Sequence, residues 1–236
     1  VDISAEIRRM RAVKSPFEIA VIREAAEGSD RVAACVPALL REGLTEIEVA
    51  GRIEAEARRL GHQGVVRMRM WGGELFYGHL LSGPSGGVPS YHSSPTGGSG
   101  INPAVAQGAS FRRIQRNEPV MLDYVFSLRG YISDHTRLFS IGPIPEDLAE
   151  AHAAMLTLQA ELQRMAKPGA ISGSLYDFAR RYVAERGYAN HFMGGSDERV
   201  RFVGHGVGLE LAEFPFLNAG QTMELQENMV VALAPK

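Results

Sequence analysis

The feature that most constrains the fold is residues 118–142, EPVMLDYVFSLRGYISDHTRLFSIG, which have the pattern of a β-hairpin. Two apolar-rich runs, Pro119–Phe126 and Tyr131–Ile141, flank a short polar break. Gly130 lies in that break and can adopt the positive φ that a tight hairpin turn requires. The sequence therefore predicts two adjacent antiparallel strands in the middle of the chain.

The position of the turn predicts which side chains meet across this hairpin. If the turn is centred between Leu128 and Arg129, Asp123 lies directly opposite Asp134, with Cβ atoms roughly 4.5–5.5 Å apart. The neighbours expected on the same face are mostly apolar: Met121, Val125, Ile132 and Thr136. Two carboxylates in such a setting repel unless they share a proton or bind a cation. The hairpin is thus a metal-site hypothesis that favours hard or borderline divalent ions and two-metal chemistry. A solvated pair without metal is the alternative.

Composition excludes several classes of protein. The chain has 236 residues, 45% hydrophobic and 22% charged, with a formal net charge of −2, as expected of a globular protein. It carries no basic excess for binding nucleic acid, and no apolar run has the 18 or more residues of a membrane span. The one cysteine, Cys35, excludes an intrachain disulfide and favours a reducing compartment, so we expect a cytoplasmic protein.

Helix-start signals divide the chain into α and β regions. Ser15-Pro16-Phe17-Glu18 and Thr45-Glu46-Ile47-Glu48 are capping boxes that predict helices to about Leu40 and Leu60. Further helices are expected from about Glu146 to Met165 and, capped by Ser172 or Ser174, to about Gly187. Strands are predicted over 65–70 and as short runs in 200–236. The pattern indicates α+β architecture.

Residues 72–111 are rich in Gly and Pro and lack helical periodicity, so they predict a long loop. Loops of this length in compact domains are usually functional. The segment contains His79 and His92, each of which is by default a surface histidine.

A second pattern lies at residues 204–210, Gly-His-Gly-Val-Gly-Leu-Glu. The glycines on both sides of His205 let other groups approach its backbone and imidazole closely, as a ligand histidine requires. A turn that merely contains a histidine is the alternative.

These residues together resemble the creatinase/methionine-aminopeptidase superfamily. The resemblance rests on the two aspartates eleven residues apart in LDYVFSLRGYISDHTR, on the Gly-His-Gly motif, and on NMVVALAPK at 228–236. It is closest to the Xaa-Pro aminopeptidases and prolidases. It implies the pita-bread fold, an α+β architecture in which pseudo-two-fold α/β halves surround a curved antiparallel sheet.

The resemblance also implies a domain organisation. Residues 1–14 resemble the lead-in from a separate N-terminal domain, and residues 15–236 resemble the catalytic domain. The chain begins at Val1 without an initiator Met, so further residues are expected before it. It stops just after the strand-like run 229–233, so further residues, including the last strand, are expected beyond Lys236.

By the same resemblance, the site would hold two divalent metal ions, Mn, Co, Fe or Zn. Asp123 would chelate one ion, Asp134 would bridge both and His205 would bind the second. A metal-bridging water would then attack the peptide bond that precedes proline. His92 stands where a substrate-side histidine is expected. The implied partner is a peptide with proline at its second position, and a homodimer is possible.

This sequence departs from the family pattern at site positions. Ala234 stands where a ligand glutamate is expected, and Ala212 replaces a second histidine. The other ligand glutamate would lie beyond Lys236. Two alternatives therefore stay open beside the metallopeptidase: a pseudopeptidase that binds peptides, and a creatinase-like enzyme that cleaves C–N bonds without metal. Retention of both aspartates argues against the second.

Overall fold

A computed structural model describes residues 1–69, 73, 75–90, 96–194 and 199–236. In chain order the helices and strands are α1 (Ser4–Ala12), α2 (Pro16–Leu39), α3 (Glu46–Arg59), β1 (Gly78–Ser82), a 3₁₀ turn (Gly83–Gly87), β2 (Val120–Leu128), β3 (Tyr131–Phe139), α4 (Glu146–Met165), α5 (Ser172–Glu185), β4 (Phe202–Gly206), β5 (Glu213–Asn218) and β6 (Val231–Leu233).

The chain divides into two units with separate cores. The first unit contains Val1–Ala20, Asp147–Gly208 and Ala212–Lys236, and the second contains Val21–Glu146 and Leu209–Leu211. Each has one three-stranded antiparallel sheet, in the order β5-β4-β6 in the first unit and β1-β2-β3 in the second.

Capping boxes start two of the helices, as the sequence predicts. At α2, the Ser15 hydroxyl accepts from the Glu18 backbone N–H, and the Glu18 carboxylate accepts from the Ser15 N–H. Thr45 and Glu48 repeat this reciprocal arrangement at α3. Each box satisfies two backbone donors that the first helical turn leaves without partners.

In the second unit, α2 and α3 pack on one face of the sheet. Alternate strand residues, among them Leu80, Leu122, Tyr124 and Phe126, are buried in one cluster with the apolar stripes of both helices. Because side chains alternate between the faces of a strand, the odd-numbered residues of β1 and β2 lie on the opposite face. That face carries Asp123.

In the first unit, α4 and α5 supply most of a second core. It contains Leu158 and Leu162 of α4, Leu175 of α5, and Val203 and Leu217 of the sheet. Helix α1 packs against β5.

Three local predictions are wrong. Over the described part of 65–70 no strand forms, and Val66 makes only an isolated bridge to Leu75. The segment 72–111 contains β1, which was not expected. Neither Ser172 nor Ser174 caps α5, because the helix begins at Ser172, with Ile171 as N-cap and no side-chain cap bond. Among the helices described, none is long and apolar enough to cross a membrane.

Candidate functional site

Asp123 and Asp134 share the face of the second unit's sheet that points away from α2 and α3. Asp123 is 7% exposed and accepts a hydrogen bond from Thr136, with 3.1 Å between Oγ1 and Oδ1. Asp134 is half-buried. The shared face, which the hairpin pattern predicted, is confirmed.

The predicted cross-strand register of this hairpin is wrong by two residues. Asp123 pairs with Thr136, and Asp134 pairs with Val125. The two aspartates are therefore diagonal neighbours, for which separations of roughly 7–8 Å are usual. A shift of two residues preserves the face, which is why the predicted neighbours still surround the pair.

The turn explains the shift. The loop consists of Arg129 and Gly130, with φ values of 49° and 87°. Positive φ at both central residues is the type I′ geometry, which matches the twist of the flanking strands. The turn centre therefore lies one residue later than predicted, between Arg129 and Gly130.

The carboxylate pair has buried apolar neighbours. Val125 and Ile132 are almost fully buried and pack with Val66 and Leu211 in a small cluster of the second unit. Low exposure strengthens electrostatic interactions of nearby charges, because water screens them less.

A third polar residue of this face, His79, was expected at the surface, and that expectation is wrong. His79 is 5% exposed and lies in β1 directly opposite Asp123. Its Nδ1 lies 2.6 Å from the Thr96 hydroxyl. The glycines and prolines that follow Gly78–Ser82 predicted a loop rather than this strand. The short apolar run at Leu80-Leu81 was the local pattern that favoured a strand.

His205 lies in β4, the central strand of the first unit's sheet, and is 4% exposed. Its Nδ1 is 3.1 Å from the Gly206 carbonyl oxygen, which can only accept, so Nδ1 carries the proton. In the neutral ring Nε2 is then the lone-pair atom, the form in which imidazole binds metals. The ring also makes an edge contact with Phe202.

Ala234 lies on the same sheet as His205. His205 pairs with Ala232, and the Ala234 N–H donates to the Val203 carbonyl, 3.0 Å away. By strand alternation, a side chain at 234 projects on the His205 face of this strand pair. Ala234 therefore stands where a carboxylate would face His205, and alanine supplies no donor atom.

The other positions singled out in the sequence contribute less. Ala212 is half-buried, immediately before β5. His92 lies outside the described residues. Glu213 is bound by Arg11 and Lys14, and Glu210 forms an ion pair with Arg69, so neither glutamate is placed as a ligand.

Within the second unit, Asp123 and Asp134 supply carboxylate oxygens, a donor type that divalent metals bind. Within the first unit, His205 supplies an imidazole nitrogen of the same suitability, while Ala234 on the same sheet supplies no donor atom. Over the described ranges, no group of three or more His, Cys, Asp and Glu residues is close enough to hold a metal ion.

Comparison with known proteins defines the class. The chain superimposes on the X-Pro aminopeptidase of Thermotoga maritima with a TM-score of 0.81 and 28% identity, covering 99% of this chain and 57% of that one. For the prolidase of Pyrococcus horikoshii the TM-score is 0.80 and the identity is 29%, covering 99% of this chain and 58% of that one. The α+β pita-bread fold is thereby confirmed.

The family model for metallopeptidase family M24 matches residues 20–236. The chain belongs to this family. It is 31% identical over 230 residues to the Xaa-Pro dipeptidase of Pyrococcus horikoshii, covering 97% of this chain and 56% of that protein. The chain thus spans little more than half the length of the curated relatives it matches.

Proposed function

We propose that this protein is a metal-dependent peptidase of the Xaa-Pro aminopeptidase or prolidase type, which releases an N-terminal residue that precedes proline. The observation that carries the proposal is the placement of Asp123 and Asp134 on one buried face of the β2–β3 hairpin in an M24 chain. The names of the relatives, an Xaa-Pro dipeptidase and an X-Pro aminopeptidase, support the proline specificity.

In this proposal Asp123, Asp134 and His205 hold the divalent ions, Mn, Co, Fe or Zn. When bound, such ions supply an activated water and polarise the peptide carbonyl. Thr136 holds the Asp123 carboxylate in one orientation, and the Gly206 carbonyl keeps the His205 proton on Nδ1. Val125 and Ile132 exclude water around the carboxylates. His92 is proposed as a substrate-side residue.

Replacing Asp134 tests the ligand role. Asp134→Asn in the full-length protein is expected to lower metal content and to reduce Ala-Pro hydrolysis with added Mn²⁺ by at least about 100-fold. Asp30→Asn is the matched control, because Asp30 is an exposed aspartate of the same unit that pairs with Arg137. Unchanged metal content and hydrolysis in Asp134→Asn would remove the ligand assignment.

Ala234 favours a second candidate function, a pseudopeptidase that binds peptides without cleaving them. Loss of a carboxylate ligand weakens metal binding, because the remaining donors neutralise less of the ion's charge. Elemental analysis after brief dialysis separates the two functions. Near two ions per chain supports the peptidase; a metal-free protein that still binds Ala-Pro peptides supports the pseudopeptidase.

Ala234→Glu extends this test, with Ala234→Gln as an uncharged control of the same size. If the domain is an inactivated peptidase, Ala234→Glu raises metal content and hydrolysis, and Ala234→Gln does not. No gain in either variant would show that more than this one carboxylate separates the chain from an active enzyme.

A further inference from the structure

We infer that His79 is a positioning residue for Asp123, holding that carboxylate in place. The inference deepens the proposed peptidase function and rests on it. It is carried by the location of the imidazole, by its fixed orientation, and by a contrast with another buried histidine of the same unit.

The location is set by the pairing of β1 with β2. His79 is the direct cross-strand partner of Asp123, for which Cβ separations are roughly 4.5–5.5 Å. Strand β1 comes this close because Gly78 has no side chain: a Cβ there would be 2.6 Å from the Tyr124 Cα and closer still to the Asp123 carbonyl oxygen. The sequence thus places a glycine where it brings the imidazole beside the carboxylate.

The orientation of the ring is fixed from two sides. Thr96, itself 8% exposed, holds Nδ1 at 2.6 Å through its hydroxyl. Gly108 has a φ of +72° and packs against the ring, where a Cβ would lie 2.8 Å from Cδ2. A side chain at 108 would displace the imidazole, so the backbone of this segment is shaped around His79.

His62 shows what a structural histidine in this unit looks like. Its Nδ1 accepts from the Ser127 N–H and its Nε2 donates to the Phe76 carbonyl, both at 3.0 Å. Its ring packs edge-on against Phe126 in the helix-facing core. His79 instead lies on the opposite face, in one cross-strand row with Asp123 and Thr136.

In this row, the side chains on both sides of the Asp123 carboxylate can orient it, as is typical of residues next to a metal-binding carboxylate. Thr136 donates to Asp123 from one neighbouring strand, and His79 flanks it on the other. Residues that orient a ligating carboxylate typically contribute about 10–100-fold to metal affinity or activity when they are replaced. His79 therefore acts through Asp123 rather than on the scissile bond.

The test compares four variants of the full-length protein by Mn²⁺ affinity from calorimetry, by kcat and KM for Ala-Pro, and by thermal unfolding. His79→Leu is expected to weaken Mn²⁺ binding and kcat/KM by about 10–100-fold. His79→Asn, whose amide can reach the Thr96 hydroxyl, is expected to recover part of the Mn²⁺ affinity and part of kcat/KM. Thr96→Val should lower Mn²⁺ affinity and kcat/KM, but by less than His79→Leu.

His62→Gln is the matched control. It is expected to lower the unfolding temperature while kcat/KM and Mn²⁺ affinity of the folded protein stay within about twofold of wild type. His79→Asn and Thr96→Val keep the inference testable if His79→Leu does not fold. If His79→Asn and Thr96→Val both kept the Mn²⁺ affinity and kcat/KM of wild type, the positioning role of His79 would be overturned.

A separate outcome concerns the proposed function itself. A wild-type protein that neither binds Mn²⁺ nor cleaves Ala-Pro would reject the peptidase. The placement of His79 is then decided by a double-mutant cycle of unfolding free energies in EDTA, with His79→Asn and Asp123→Asn. If the two substitutions change the unfolding free energy additively, His79 does not interact with Asp123 and the inference is overturned. A non-additive change supports the interaction.

Discussion

Lys14 and Glu213 form a buried ion pair, with 3.2 Å between Nζ and Oε2, that ties the segment after α1 to the start of β5. Arg11 binds the other oxygen of the same carboxylate. Burial lowers the pKa of Lys14, and the charge of Glu213 opposes that shift. Since Glu213 pairs with Gly206, the ion pair anchors the strand that carries His205.

Removing the carboxylate from this cluster should be strongly destabilising. Glu213→Gln removes the carboxylate that both Lys14 and Arg11 contact while Lys14 stays buried, and such changes lower the free energy of unfolding by about 3–5 kcal/mol. Lys14→Met leaves Glu213 paired with Arg11, so a smaller loss of about 1–3 kcal/mol is expected. Urea unfolding measures both.

The control is the exposed pair of Glu6 and Arg9, whose side chains are 63% and 64% exposed. Glu6→Gln should change the free energy of unfolding by no more than about 0.5 kcal/mol. If Glu213→Gln were as mild as this control, the buried pair would contribute nothing to the anchoring of α1.

Glu46 provides a second buried carboxylate with a structural role. It is fully buried at the start of α3; Oε1 accepts from the N–H and hydroxyl of Ser82, and Oε2 accepts from the same two groups of Ser110. Glu46→Gln replaces one carboxylate oxygen by an NH₂ group. That group is a donor and would face the N–H and hydroxyl donors of one of the two serines. A loss of about 3 kcal/mol in urea unfolding is expected.

Glu56→Gln, on the same helix, is the comparison for Glu46. Among the described residues, the Glu56 carboxylate forms its ion pair with Arg59, one turn away on the helix. Its replacement should stay within about 0.5 kcal/mol of wild type. Equal effects of the two substitutions would contradict the four-bond role of Glu46.

The sequence predicted the helices well because their start signals are local. The reciprocal bonds at Ser15 and Thr45 involve residues three positions apart, so no tertiary information is needed to anticipate them. The common face of Asp123 and Asp134 was equally predictable, since it depends only on the alternation of side chains along strands. The candidate ligands of the hairpin were therefore accessible from sequence.

The hairpin register and the position of His79 were not accessible in the same way. Arg129 has a positive φ, which non-glycine residues seldom adopt, and its side chain pairs with Glu24 of α2. His79 is covered in part by Gly108, 29 positions further along, which packs against its ring. Both features depend on contacts between distant parts of the chain.

His62 predicts a pH dependence of stability. Burial lowers its pKa, and Arg58 lowers it further, against the opposing bond to the Phe76 carbonyl. In the unfolded chain histidine takes up its proton near pH 6.5, while the folded state resists protonation. Stability is therefore complete above about pH 6.5 and decreases as the pH falls toward the lowered folded-state pKa.

The measurement is the free energy of unfolding between pH 7 and 5 for wild type and His62→Gln. The slope of wild type should exceed that of the variant by up to about 1.4 kcal/mol per pH unit. His135, whose pKa burial also lowers, contributes in the same direction to both proteins and cancels in the difference. Parallel curves would show that His62 titrates alike in both states.

The last prediction concerns Gly78, which lets β1 lie against β2. In Gly78→Ala the new methyl would overlap the Asp123 backbone, and since a strand backbone cannot yield as a side-chain end does, β1 must shift. Overpacking of this kind lowers the free energy of unfolding by about 1–3 kcal/mol. Because β1 carries His79, the proposed peptidase function predicts that Ala-Pro hydrolysis falls as well.

Gly51→Ala in α3 is the matched control: a Cβ there meets no atom within 4 Å, so alanine should stabilise the helix by about 0.5–1 kcal/mol. If both substitutions shifted the urea midpoint in the same direction, the close approach of β1 to β2 at Gly78 would not be a constraint on this fold.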